Sequence, residues 1–263
     1  MALPLVHRVS IDLPRLPHSF SGMTVAVVAD LHCRRRGTDF AARIAQQVNE
    51  LRADLVVLLG DMVHRPMDGP VVLPSLSGLR ARHGVWACLG NHEYGFVWLS
   101  RYVGRRRHPS VDEWRRAYSD AGVHLLANEA VALSEGAEHI WLAGVDDAYS
   151  GRADLTSALD GVGQGECVLA ITHSPDIMDA DGVQAIDLVL AGHTHGGQIR
   201  LPGIGPIWAP CRRPRKRAGG LVTGEQTRLF VTQGVGEGIP IRIGCPREIG
   251  LVELVRPRVE SGV

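Results

Sequence analysis

The sequence has few aromatic residues, few cysteines and no long apolar segment. Aromatic side chains make up 5% of the 263 residues, so we expect a core of aliphatic side chains. The five cysteines are an odd number, are widely spaced and include no CxxC pair, which excludes a disulfide framework and a zinc–thiolate site. No apolar run approaches the roughly 18 residues of a membrane-spanning helix, and the N-terminal region has no signal-peptide core. We therefore expect a cytoplasmic protein.

The formal net charge is zero, because 28 Lys and Arg residues balance 28 Asp and Glu residues. Bulk attraction to nucleic acid is therefore not expected, although local basic runs remain. The apolar fraction of 45% and the charged fraction of 21% are typical of globular proteins and exclude disorder. The length predicts a single domain over residues 1–263, with its core at about 24–255.

Short valine-rich apolar runs alternate with helix-like segments. The runs predict buried strands at 24–29, 55–59, 85–89, 139–143, 168–172 and 187–191. Helices are predicted at 39–51, 111–121 and 154–159. This alternation indicates an α/β architecture. After residue 195 the helical pattern stops, and the segments 229–232 and 249–255 are expected to complete a second sheet.

Five of the predicted strands end in side chains that bind metal ions. The motifs are Asp30-Leu31-His32, Gly60-Asp61, Gly90-Asn91-His92-Glu93, Thr172-His173 and Gly192-His193-Thr194-His195. In α/β sheets, ligands bind outside the carboxyl ends of the strands, so these motifs can meet at one point. Carboxylate, imidazole and amide ligands without thiolate favour Mn, Fe or Zn. Two divalent ions beside two carboxylates leave a positive charge that attracts phosphate.

The motifs D-x-H, G-D, G-N-H-E, a lone histidine and G-H-T-H occur in the order that characterises one superfamily. The sequence resembles the calcineurin-like metallophosphoesterases over about residues 24–255. The runs GHTHGGQIRLPG and GVGEGIPIRIGCPREIGLVEL look more specifically like the YkuE/YaeI-like phosphodiesterases. That group is similar to UDP-2,3-diacylglucosamine pyrophosphatases. The resemblance implies a two-sheet sandwich flanked by helices, an αββα fold.

The resemblance also implies two divalent metal ions and assigns roles to individual residues. Metal binding is carried over to seven side chains: Asp30, His32 and His195 for the first ion, Asn91, His173 and His193 for the second, and Asp61 for both. His92 would instead be catalytic, stabilising phosphoryl oxygens or protonating the leaving group. The implied reaction is hydrolysis of a phosphodiester or pyrophosphate by metal-bound hydroxide. A nucleotide-linked glycolipid such as UDP-2,3-diacylglucosamine is the hypothesis for its substrate.

Basic and aromatic segments near the motifs suggest how the substrate is bound. We predict that Arg34, Arg35 and Arg212 contact phosphate oxygens, although a charge run is as readily a solvated surface. The segment 94–108 combines aromatic residues with three arginines. It can form a lid over the site, contact a membrane peripherally, or pack on the core as a cap helix. The histidines outside the motifs, including His64, are expected to be surface or structural residues.

Two other functions compete with this reading. The same metal chemistry serves nucleases and cyclic-nucleotide phosphodiesterases, but the zero net charge and the absence of an added DNA-binding region make nucleic acid an unlikely partner. A non-catalytic metal-binding scaffold would be marked by loss of a ligand or of His92, and neither loss is seen. The sequence does not indicate an oligomeric state.

Overall fold

The computed structural model describes residues 2–95, 108–224, 226–237 and 241–257. Its strands are β1 (Leu5–Asp12), β2 (Thr24–Val28), β3 (Leu55–Leu59), β4 (Val85–Cys88), β5 (His124–Leu125), β6 (Glu129–Glu135), β7 (Glu138–Gly144), β8 (Val168–Ile171), β9 (Leu188–Ala191), β10 (Arg200–Leu201), β11 (Gly205–Pro206), β12 (Gly220–Thr223), β13 (Arg228–Val231) and β14 (Glu248–Val255). Its helices are α1 (Thr38–Glu50), α2 (Gly69–Val72), α3 (Val111–Asp120), α4 (Leu155–Ala158) and α5 (Pro214–Arg217). Within these ranges, every helix is too short or too polar to cross a bilayer.

Two six-stranded sheets form the frame, in the strand orders β1-β14-β2-β3-β4-β5 and β12-β13-β9-β8-β7-β6. In the first sheet, β2 to β5 run parallel. In the second, β13, β9, β8 and β7 run parallel, while β12 and β6 are antiparallel edge strands. In each sheet, the loops that follow the parallel strands therefore lie together at the carboxyl ends of those strands.

The sheets pack face to face through aliphatic side chains. Alternate residues of β2 and β3, such as Val25 and Val57, meet residues of β8 and β9, such as Leu169 and Leu190. The intervening residues of β2 and β3 pack against α1 and α3, and the outer face of the second sheet packs against α4. The layers are thus helix, sheet, sheet, helix, which confirms the αββα fold. The single-domain boundary at 1–263 stays a prediction.

The two long helices form where their sequences favour them. In α1 the buried residues Ala41, Ile44, Ala45 and Val48 recur three or four positions apart and face the first sheet. In α3 a capping box fixes the first turn. The Ser110 hydroxyl accepts from the Glu113 N–H at 3.2 Å, and the Glu113 carboxylate accepts from the Ser110 N–H at 2.8 Å.

One predicted strand lies in the other sheet. The segment 229–232 does join the second sheet as β13, but β14 inserts into the first, antiparallel to β2 and parallel to β1. Both faces of β14 are buried, with Ile249 and Leu251 toward the helices and Val252 and Leu254 between the sheets. A strand buried on both faces lacks the alternation that would show which sheet it joins. The edge strands β1 and β6 were not predicted; each has only one fully buried residue, so neither forms the continuous apolar run that marked the other strands.

Candidate metal centre

The seven predicted ligands lie just beyond the carboxyl ends of five strands. In the first sheet, β2 leads to Asp30 and His32, β3 to Asp61 and β4 to Asn91. In the second sheet, β8 leads to His173, and β9 leads to His193 and His195. All seven side chains are buried, as the motif spacing predicted for ligands that meet at one point. The two sheets therefore contribute to the same cluster.

The backbone at these positions is strained. Of the eight non-glycine residues with positive φ in the described ranges, five are predicted ligands: Asp30 (56°), His32 (45°), Asp61 (53°), His193 (69°) and His195 (49°). Such conformations cost about 1–3 kcal/mol each and persist only where the surroundings enforce them. They turn the chain shortly after β2, β3 and β9, where these ligands lie.

Glu93, in the G-N-H-E motif, ties two of these loops together. Its fully buried carboxylate accepts hydrogen bonds from the backbone N–H groups of Asp61, Met62, Val63 and Gly90, at 2.8–3.3 Å. Burial raises the pKa of Glu93 to about 7, with a further increase from the Asp61 charge, while the Gly90 N–H opposes both. The loops are closely packed here, since a Cβ on Gly90 would lie 2.3 Å from Asp61 Oδ1. The sequence motif contains Glu93, but its spacing did not predict this role.

Replacing Glu93 with glutamine should weaken metal binding without removing a predicted ligand. The amide would place an N–H against backbone donors, so we expect metal affinity to fall about 10–100-fold. The free energy of unfolding should fall by about 1–3 kcal/mol. Metal titration and urea denaturation measure the two effects. Glu129→Gln is the matched control, because that half-exposed carboxylate bonds Arg115 away from the centre. Equal metal affinities for the two variants would contradict the role.

The first group of ligand atoms belongs to Asp30, His32 and His195. The Nε2 atoms of His32 and His195 face each other at 2.9 Å, and His195 Nε2 lies 4.0 Å from Asp30 Oδ1. Burial lowers the pKa of His32 well below its usual value. Burial, with Arg242 beside it, lowers the pKa of His195 to about 3. Both rings are therefore neutral, which is the form that binds a metal ion.

The second group comprises Asp61, His173 and His193, with Asn91 alongside. His173 Nε2 lies 3.3 Å from Asp61 Oδ2, 3.2 Å from Asn91 Oδ1 and 3.0 Å from His193 Nδ1. The other nitrogen of this ring, Nδ1, donates to the Leu59 carbonyl at 2.8 Å. With Nδ1 engaged in this way, Nε2 is the nitrogen that faces the cluster and that would offer its lone pair to a bound ion.

Asp61 lies between the two groups. Its Oδ2 atom is 3.7 Å from His32 Nε2 and 3.3 Å from His173 Nε2. Burial raises the pKa of Asp61, but His173 and His92 outweigh it and hold that pKa well below the usual value. Burial, with the Asp61 charge, raises the pKa of Asp30 to about 7. One carboxylate oxygen of Asp61 therefore adjoins imidazole nitrogen atoms of both groups.

The donor set fits two divalent ions. Around His173 Nε2, the facing atoms are a carboxylate oxygen, an amide oxygen and an imidazole nitrogen, and each can offer a lone pair. Burial alone would lower the pKa of His173, yet Asp61 and Asp30 raise it well above the usual value. The cluster thus needs positive charge at this position. Oxygen and imidazole ligands without thiolate suit Mn, Fe or Zn ions.

His92 lies beside the ligands, and His64 holds it there. The His92 Nδ1–H donates to the His64 carbonyl at 2.9 Å, while Nε2 lies 3.9 Å from Asp61 Oδ2. The rings of His92 and His32 are 4.4 Å apart, and those of His92 and His64 are 5.5 Å apart. His64 is half-buried, and holding His92 through its carbonyl is consistent with the structural role that was predicted for it. Its position three residues after Asp61 was the available signal that it lies near the site.

The predicted phosphate-binding arginines differ in position. Arg34 Nη2 is 2.9 Å from His64 Nε2, which puts it at the rim of the site. Arg35 turns away and pairs with Asp68 at 3.6 Å. Arg212 is exposed, and its backbone N–H donates to Asp176 at 2.9 Å. Most of the predicted lid, 96–107, lies outside the described residues.

Tyr149 is a neighbour of the site that the motifs did not reveal. Its ring centroid is 4.5 Å from that of His193, and the residue is 50% exposed. A half-exposed aromatic ring beside a buried ligand offers a surface on which a planar group can stack. No spacing rule links Tyr149 to the motifs, because its loop follows β7, for which no ligand was predicted.

A family model described as calcineurin-like phosphoesterase matches residues 23–197, a range that contains all seven predicted ligands and His92. The chain belongs to that family. As a calcineurin-like phosphoesterase it is a metal-dependent phosphoester hydrolase with a two-metal centre. The family assignment confirms the resemblance that the motifs indicated.

Similar proteins come from bacteria and animals. The uncharacterized metallophosphoesterase YkuE of Bacillus subtilis is 28% identical over 244 residues, covering 91% of this chain and 81% of YkuE. Phosphodiesterase YaeI of Escherichia coli is 30% identical over 208 residues, covering 78% of this chain and 72% of YaeI. The transmembrane protein with metallophosphoesterase domain of Bos taurus is 31% identical over 266 residues, and this chain spans 56% of it. These relatives support the YkuE/YaeI-like grouping.

Proposed function

We propose that this calcineurin-like phosphoesterase hydrolyses phosphodiester or pyrophosphate bonds at the cluster around Asp61. The proposed ligands are Asp30, His32 and His195 for one ion, Asn91, His173 and His193 for the other, and Asp61 for both. The observation that carries the proposal is the placing of Asp61 Oδ2 within 3.7 Å of His32 Nε2 and 3.3 Å of His173 Nε2. Bound there, two divalent ions would supply Lewis-acid chemistry and net positive charge toward a phosphoester.

In this proposal His92 handles a proton at Nε2. Its Nδ1–H is engaged by the His64 carbonyl, so Nε2 is the nitrogen that faces the Asp61 side of the site. A protonated Nε2 can donate to the oxygen of the departing group, which lowers the barrier to breaking the phosphorus–oxygen bond. Arg34, held by His64, would contact a non-bridging phosphate oxygen.

For the substrate we propose a nucleotide-linked glycolipid such as UDP-2,3-diacylglucosamine. Two features support this class. The Tyr149 ring beside His193 offers a stacking surface for a base. The GHTHGGQIRLPG run resembles the phosphodiesterase group that is similar to UDP-2,3-diacylglucosamine pyrophosphatases. Among relatives, YaeI is named a phosphodiesterase, which supports diester over monoester chemistry.

Metal removal tests the proposed function. Protein stripped with a chelator should lose hydrolysis of bis-p-nitrophenyl phosphate, and added Mn²⁺ should restore it. Parallel assays with UDP-2,3-diacylglucosamine, a cyclic nucleotide and linear DNA compare the substrate classes. If DNA or the cyclic nucleotide is turned over faster than the glycolipid, that compound and not the glycolipid represents the substrate class. Folded, metal-loaded protein that turns over none of these with Mn²⁺, Zn²⁺ or Fe²⁺ would overturn the proposal.

A further inference from the structure

Half of the exposed large hydrophobic residues in the described ranges lie in one small substructure. Six of these twelve residues, exposed by 40–65%, are Leu201, Ile204, Ile207, Trp208, Ile241 and Ile243. Single exposed hydrophobic residues are normal on soluble proteins, but a concentration of them marks a binding surface. We call the segments 199–208 and 241–243 the apolar hairpin.

Backbone hydrogen bonds hold the apolar hairpin together. β10 pairs with β11, and the Ile207 N–H extends this ladder to the Ile199 carbonyl at 3.1 Å. On the other side of β10, the Arg200 N–H donates to the Ile243 carbonyl at 2.9 Å, and the Ile243 N–H donates to the Gln198 carbonyl at 2.8 Å. The exposed residues are therefore carried on a three-stranded unit and not on unconnected loops.

The apolar hairpin is fixed to the loop that carries His195. A Cβ on Gly197 would lie 2.6 Å from Pro206 Cβ and 2.8 Å from the Trp208 carbonyl oxygen, so only glycine allows this approach. The Arg200 guanidinium also donates to the Gly196 carbonyl at 3.2 Å. Whatever the hairpin binds is consequently held close to the metal centre.

The stretch of chain that carries the apolar hairpin is basic. Residues 198–217 include six basic residues and no acidic residue. Two of the six are engaged by Asp179, since Arg217 lies 2.9 Å and Arg213 3.6 Å from its Oδ1. Arg215 and Lys216, on α5, are exposed. Thus cationic side chains flank a surface of isoleucine and tryptophan.

We propose that the apolar hairpin and the basic run 212–217 dock this protein on anionic lipid bilayers. Tryptophan with aliphatic residues enters the headgroup region, and flanking Lys and Arg residues are attracted to anionic lipids. The exposed Arg215 and Lys216 favour an anionic membrane over a protein partner, because lysine is depleted at protein interfaces. The inference deepens the proposed function: a docked centre acts on phosphoesters whose apolar part stays in the bilayer.

Vesicle sedimentation tests the docking surface with the full, metal-loaded chain. We expect binding to vesicles of equal parts phosphatidylglycerol and phosphatidylcholine and much weaker binding to phosphatidylcholine alone. The double variant Ile207→Ser/Trp208→Ser should lower the partition constant at least about tenfold. The double variant Arg215→Glu/Lys216→Glu should lower it at least about tenfold on the anionic vesicles only.

Matched controls are Leu5→Ser and Arg116→Glu, which alter an exposed hydrophobic residue on β1 and an exposed arginine on α3. Both should bind anionic vesicles as the unmodified chain does. All four variants should hydrolyse bis-p-nitrophenyl phosphate normally, because this soluble diester needs no membrane. Equal losses of vesicle binding in variants and controls would contradict the proposed surface.

The outcomes separate this inference from the proposed function. Normal diester hydrolysis without vesicle binding would overturn the docking surface alone. Vesicle binding without hydrolysis of any substrate by metal-loaded protein would overturn the proposed function alone. A dimer that Ile207→Ser/Trp208→Ser abolishes, without vesicle binding by the unmodified chain, would show that a second copy covers the hairpin and would overturn membrane docking.

Discussion

Alanine at position 61 is expected to remove both metal ions and to reduce diester hydrolysis by at least about a thousandfold. Asp61 Oδ2 is the atom that adjoins both groups of predicted ligands, so its loss removes negative charge that would balance two divalent ions. Loss of several kcal/mol of charge stabilisation corresponds to this change in rate. Metal content after gel filtration and turnover of bis-p-nitrophenyl phosphate measure the effect.

Asp187→Asn provides the control for a buried carboxylate. Asp187 precedes β9, at the opposite end of that strand from His193, and accepts from Arg15 Nε and the Val168 N–H at 2.8 Å each. Its replacement should lower the free energy of unfolding by about 1–3 kcal/mol but leave both ions in place. Two ions retained in Asp61→Ala would refute the shared ligand.

Alanine at position 92 should lower kcat by roughly 10²–10⁴ while both ions remain bound. His92 Nε2 faces the site, but the residue belongs to neither of the groups that adjoin Asp61 Oδ2. The deficit should be smaller for diesters with a p-nitrophenolate leaving group than for alkyl diesters, since an activated leaving group needs less protonation. A merely structural role for His92 would lower both rates equally.

His124→Ala is the matched control, because His124 is exposed on β5 and packs on Trp86 at a ring distance of 4.6 Å. Its kcat and metal content should equal those of the unmodified chain. Loss of metal from His92→Ala would instead make His92 a ligand, a possibility that its grouping with His32 and His64 makes worth measuring.

The predicted ligands could be picked out from the sequence because the motifs that contain them follow apolar runs. Such runs become parallel strands, and their carboxyl ends share an edge, so Asp30, Asp61 and His173 could be expected to meet before any distance was known. The α/β class followed from the alternation of strands and helices, and the αββα sandwich followed from the resemblance. The helix at 39–51 followed from apolar spacing and the one at 111–121 from its helix-like pattern, whereas the Ser110–Glu113 capping box became visible only in the structure.

Other parts of the site depend on contacts that no local pattern encodes. Glu93 acts through backbone N–H groups 30 or more residues away in the chain. His64 matters because its backbone carbonyl accepts a hydrogen bond from the His92 Nδ1–H. No sequence pattern predicts the direction in which a carbonyl group points. Arg35 was predicted to bind phosphate from its place in a basic run, and no sequence pattern indicated its pairing with Asp68. The same limit explains why β14 was predicted in the wrong sheet, because a strand that is buried on both faces can fit into either one.

The ligands of each group come from both sheets. Asp30 and His32 extend from the first sheet toward His195 of the second, and Asp61 and Asn91 extend toward His173 and His193. An ion held by the predicted ligands of either group would therefore cross-link the two halves of the sandwich. Because an ion that binds only the folded state shifts the folding equilibrium, metal supply in the cell sets how often these halves separate. Metal starvation would then expose the chain to proteases and lower its abundance as well as its activity.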